Sequence, residues 1–121
     1  MSETLAELCF FVGQQHHAQA ARQEEQRDFA GAKLNFSTAE QWYRRALSED
    51  PTIIKIHEAM MYALISQRRH ADALPHCDVA MNDPDPNKKL VAQVTRGLTE
   101  MMVGDYVNGF ADMHEIGRAH V

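Results

Sequence analysis

Cysteine is scarce in this sequence. Cys9 and Cys77 are the two thiols in 121 residues, and no CxxC pair occurs. That excludes a disulfide scaffold and a cysteine-type zinc motif, and leaves both thiols as small apolar residues of a reduced protein. Alternating runs of β-branched or aromatic residues are few and short, so strand signals are poor. No stretch approaches the ~18 apolar residues of a membrane span. The apolar opening LAELCFFVG follows Glu3 instead of a basic segment, which does not fit a signal peptide. A cytoplasmic or nuclear location, with no membrane partner, is the expectation. Basic charge is also short. Twelve Lys and Arg face 17 Asp and Glu, for a net charge of −5, so nucleic acid would be repelled overall and is not expected as a partner.

Catalytic motifs are missing too. The stretch HEIGRAH resembles a zinc-protease helix, but Arg118, not His, stands four residues after His114. His16 and His17 are adjacent and point about 100° apart on a helix. VGDYVNG lacks the lysine and spacing of a phosphate loop, and no nucleophile elbow occurs. We therefore assign no catalytic residue, no metal ligand and no cofactor.

What is present is helical and repetitive. Apolar residues make up 45% and charged residues 24% of the chain, as in one compact folded domain. The stretch AEQWYRRALSEDP (39–51) recurs when the sequence is shifted by about 34 residues. Ala39 then falls on Ala73, Tyr43 on Cys77 and Ala46 on Ala80. A further shift brings Ala73 to Gly109 and His70 to Tyr106. Each copy follows a segment with apolar steps of three and four: 20–34, 53–67 and 89–103. Turns are expected at 34–36, 68–70 and 104–106, with Ser37 and Thr38 capping the first downstream helix. Pro75 lies inside an expected helix, where it costs a hydrogen bond.

This unit of helix, tight turn and helix resembles the tetratricopeptide repeat. Ala39, Ala46, Ala73, Ala80 and Gly109 take the family's small positions, Phe36 and Tyr106 its aromatic position, and Pro51 its closing proline. The departures are Arg27 where Gly97 sits in the third copy, and His57 and Gln93 where a bulky aromatic is usual. The resemblance implies an all-α fold, a right-handed superhelix of antiparallel helix pairs with about seven helices. An N-terminal helix (1–19) covers the first repeat (20–51). It either ends near Gly13 or joins 20–34 in one long helix. Repeats two (52–86) and three (87–121) follow, the last without a full capping helix.

The resemblance implies binding and not chemistry: an adaptor or scaffold module holding a peptide or helix of a larger assembly in a concave groove. Helical spacing nominates Glu24, Asp28, Glu58, Tyr62, Ile65, Val94, Leu98 and Met101 for that groove. An acidic and an apolar end would suit a protein partner with a basic and an apolar end. The family's clamp for a C-terminal carboxylate uses lysine and asparagine. Glu24, Asp28, Ala59, Val91 and Thr95 stand in those places, so no such clamp is expected. The seven methionines read as core first and as adaptable binding surface second. Val107, Phe110, Met113 and Ile116 form an apolar stripe that needs cover. A longer solenoid, a homodimer through this end, or a partner's helix could supply it. The alternatives are a small cytosolic chaperone for a secreted or assembling subunit and, in a different class, a metal- or small-molecule-binding helical protein.

Overall fold

The computed structural model describes residues 4–104 and Met113. Within residues 4–104 five helices follow one another: α1 (Leu5–Glu25), α2 (Phe29–Glu49), α3 (Ile54–Ser66), α4 (His70–Ala80) and α5 (Pro86–Met102). No strand occurs among the described residues. Each helix packs on the next, and α1 also touches α3. The protein is all-α. Among the described residues no helix is long and apolar enough to cross a membrane.

The helix ends have local causes. Thr4 caps α1, its hydroxyl accepting from the Glu7 N–H at 3.2 Å, while Glu7 complements the positive end of the helix. At the other end Arg27 takes a left-handed conformation, φ 63°. The Asp28 N–H then reaches the Gln23 carbonyl, and the Arg27 N–H reaches that of Glu24. This is a Schellman closure, in which such a residue usually is glycine. The α3–α4 turn repeats it: Arg68 has φ 60°, the Arg69 N–H reaches Leu64 and the Arg68 N–H reaches Ile65. Between α2 and α3, Asp50 folds back on Thr52 through bonds of 3.0 and 2.6 Å. Asp85 caps α5 at the Asn87 N–H, and Pro86 opens that helix, where its missing N–H costs nothing.

The first 50 residues correct the expectation. Two helices stand there: the N-terminal helix does join the segment after it, the second of the two readings, but it ends at Glu25 and not near 34. α1 runs unbroken across the 19/20 boundary, and α2 runs unbroken through 34–36, where a turn was expected. The turn lies at 26–28 instead. Asn35, read as a breaker, donates its amide to Gln23 at 2.6 Å and accepts from His16 at 3.2 Å. Thr38 does not cap; its hydroxyl donates to the Leu34 carbonyl one turn back. Farther on, α3, α4 and α5 fall within a few residues of the expected segments. α4 carries Pro75 inside it and is the shortest of the five. The expected helix 106–117 and its turn lie outside the described residues.

The core follows the small-residue pattern. Ala39, Ala46, Ala73 and Ala80 are fully buried, as helix axes need in order to approach closely. The main cluster sets Cys9 and Phe10 of α1 and Ala39, Tyr43 and Ala46 of α2 against Ile56, Met60, Ala63 and Leu64 of α3, with Ala73 of α4. Ala20, Ala32 and Phe36 make a second cluster along the α1–α2 seam. Met60 and Met61 are core. Both cysteines are free and buried, and burial pushes the Cys77 thiol up to about 12, so it behaves as an apolar side chain.

Glu40 is the polar exception. Its carboxylate is almost covered, yet it holds Arg44 at 2.7 Å, Arg69 at 2.6 Å and the Gln67 amide at 3.0 Å. Burial alone would raise its pKa. The hydrogen bonds from Gln67 and Arg44, with the charges of Arg69 and Arg44, outweigh burial and hold it below the usual range. Glu40 thereby ties α2 to the α3–α4 turn.

Candidate functional site

α1 and α3 open the pairs α1–α2 and α3–α4, and together with α5 they line two adjoining hollows. The first, about 260 Å³, lies between α1 and α3 and is bordered by Gln14, His17, Ala18, Tyr43, Ala59 and Tyr62. The second, about 300 Å³, lies between α3 and α5, with Glu58, Met61, Tyr62, Asn87, Lys88, Val91 and Ala92 around it. Tyr62 belongs to both and is 42% exposed. A large, half-exposed aromatic ring between two mainly apolar hollows offers contact area at little entropic cost.

The groove carries unequal charge. At its α5 end the Glu58 carboxyl faces Asp83, with Asp85 and Lys88 nearby. Burial, then the hydrogen bond and charge of Asp83, push Glu58 up to about 7, against the pull of Lys88. Asp83 moves the other way, held down by the Asp85 N–H at 2.9 Å and by Glu58. Glu58 is therefore the one of the two carboxyls that holds its proton more tightly. Burial, then Glu58, also raises the Tyr62 hydroxyl, so it stays protonated. At the α1 end, burial lowers the His17 pKa. That neutral ring lies 3.2 Å from the Tyr43 hydroxyl and edge-on to Phe36.

The nominated residues separate. Glu58 and Tyr62 come together in the second hollow. On α5, Leu98 lies two turns beyond Val91 on the same side, and both are about half exposed. Val94 and Met101 are half-buried and line neither hollow. Ile65 is half-buried and packs against the main core. Glu24 borders a different hollow of about 330 Å³, with Phe29, Lys33, Gln67 and Arg68 at the turn end of the helix pairs. Asp28 is not on a helix face. It caps α2, accepting from the Gly31 N–H at 3.0 Å and the Gln23 amide at 3.2 Å. Both misplacements follow from the turn at 26–28. Of the C-terminal stripe, Met113 is helical and partly exposed, while Val107, Phe110 and Ile116 lie outside the described residues.

Sequence reasoning missed the α1 wall of the groove. Gln14, His17 and Ala18 follow the i, i+3, i+4 spacing of one helix face. That signal was present, but residues 1–19 were read as a cover for the first repeat. Val91, an apolar step of the segment 89–103 and a departure from the carboxylate clamp, was not among the nominated groove residues.

No family model matches this chain, and neither a curated protein nor a solved structure matches it.

Proposed function

We propose that this protein is a non-enzymatic interaction module, an adaptor whose α1–α3–α5 face holds a peptide or helix of a larger assembly. The observation that carries the reading is the pair of adjoining hollows sharing Tyr62, bordered by α1, α3 and α5. Helix pairs joined by tight turns, with one helix of each pair on a common face, support a tetratricopeptide-like arrangement. The first pair departs from that pattern: its helices have 21 residues each, against 13 and 11 in the second.

The groove suits a partner with an apolar side chain for the Tyr62–Val91 hollow and a lysine or arginine for Glu58, Asp83 and Asp85. The acidic end therefore lies beside α5 and not at Glu24 and Asp28. Selection of a random peptide library on the protein tests this. Enriched peptides should pair a basic with an apolar residue and lose binding to Val91→Asp at least about tenfold. Enrichment of acidic peptides, or binding indifferent to Val91→Asp and Tyr62→Ala, would refute it.

A further inference from the structure

Away from the groove, two histidines from neighbouring helices meet. His57 of α3 and His76 of α4 bring their Nδ1 atoms to 3.1 Å. The ring centroids are 5.3 Å apart, close to that separation plus two ring radii, so the nitrogens nearly face each other. His57 Nε2 lies 2.9 Å from the Pro51 carbonyl oxygen. A carbonyl can only accept, so this nitrogen carries the hydrogen, and in the neutral tautomer that this bond selects Nδ1 is a bare lone pair. His76 must then present an Nδ1–H to it. One proton lies between two imidazole nitrogens whose directions the fold sets. Both rings are only half-buried, so solutes can reach them.

The same arrangement suits a metal ion. Neutral imidazole is the commonest metal ligand. A ligating histidine typically donates its other N–H to a backbone carbonyl or carboxylate, as His57 does to Pro51. Zinc–nitrogen bonds of about 2.0–2.1 Å from a single ion span the observed 3.1 Å at somewhat more than a right angle. We propose that His57 and His76 form a two-histidine site for a divalent transition-metal ion of the zinc, copper and nickel class. The ion replaces the proton between the two Nδ1 atoms, and that proton leaves to solvent. Because the nitrogens face each other, both rings have to turn off the line joining them to aim their lone pairs at the ion.

Among the described residues no three His, Cys, Asp or Glu side chains converge, so water or a partner's ligand fills the remaining positions. The site is open in the sense of a site that exchanges ligands. From α2, Arg44 opposes positive charge at His76 and Glu40, by less, favours it. Burial, then His57 and Arg44, lower the pKa of His76 and keep that ring neutral. An ion here would clamp α3, which carries Glu58 and Tyr62, onto α4.

The test is calorimetric titration of the full chain with Zn(II), Cu(II) or Ni(II) alone at neutral pH, in buffers of different ionisation enthalpy. The expected result is one saturable site that releases about one proton per ion, with copper tighter than zinc. His57→Gln and His76→Gln should each weaken it at least about tenfold, and His16→Gln should leave it unchanged. Imidazole nitrogen resonances of His57 and His76 in the wild-type protein should shift on zinc addition, a readout independent of any variant's folding. Absence of saturable heat up to millimolar metal, undiminished binding in both variants, or unshifted imidazole signals at these residues would overturn the proposal.

Discussion

Gly13 is buried midway along α1, where that helix crosses α2. A Cβ built there would stand 2.5 and 2.6 Å from two ring carbons of Tyr43 and 3.2 Å from the Ala39 carbonyl oxygen. The ring has little room to retreat. It is 1% exposed, packs on Phe10 at 5.6 Å between centroids, and has its hydroxyl 3.2 Å from His17. Alanine is the better helix former by about 0.8–1.0 kcal/mol. Overpacking against a fixed ring costs about 1–3 kcal/mol, and contacts this short belong in the upper half of that range. Gly13→Ala should therefore destabilise by about 1–2 kcal/mol. Tyr43→Val removes both contact atoms, so in that background Gly13→Ala should stabilise by up to about 1 kcal/mol. The sign reverses, with a coupling of about 2 kcal/mol. Urea unfolding of the four proteins, followed by far-ultraviolet circular dichroism, measures both. If Gly13→Ala has the same sign in both backgrounds, α1 does not approach α2 as described.

The remaining predictions concern turns and charge. Arg27 and Arg68 each occupy a left-handed position, which costs a non-glycine residue about 1–2 kcal/mol. After the entropic penalty of glycine, Arg27→Gly and Arg68→Gly should each stabilise by roughly 0.5 kcal/mol, seen as a higher urea midpoint; a fall in either would deny the Schellman closure. Glu58, at about 7 in the fold, binds its proton more tightly folded than unfolded. Its contribution to stability is therefore lost as pH rises from the ordinary carboxylate range through neutrality. Glu58→Gln should stabilise by about 1 kcal/mol near about pH 8, the linkage being discounted for solvent screening. It should give no gain near about pH 5. An equal effect at both would contradict the raised Glu58 pKa.

The part of the fold legible in the sequence is the part set by close packing. Ala39, Ala46, Ala73 and Ala80 are spaced for helix contacts, and no tertiary detail was needed to see that helices meet there. The same holds for the apolar steps of α3. The first pair was misread because Asn35, Ser37 and Thr38 look like turn and cap residues in isolation. Their polar groups instead find partners along the helices, Asn35 on Gln23 and His16, and Thr38 on Leu34. The actual turn hides because arginine stands where glycine would advertise it. The Gln-Arg pair at 26–27 recurs at 67–68, and Gly104 takes the matching left-handed place after α5. Aligning those three positions, instead of sliding by a fixed period, would have placed the turn and restored α1 to the groove. Glu58 and Tyr62 were found because α3 was framed correctly. Asp28 was misassigned because its helix was not. The His57–His76 contact had no sequence signal, since it joins two helices across 19 residues.

The central claim is that the α1–α3–α5 face is where a partner sits. Backbone amide shifts, mapped while a library-selected peptide is titrated into the protein, test it most directly. Perturbations should concentrate at Gln14, Ala18, Ala59, Tyr62 and Val91, with the opposite wall of α2 silent. Shifts centred instead on the exposed Leu5, Leu8 and Phe11, or on Phe29 and Leu34, would put the binding surface elsewhere and contradict the account.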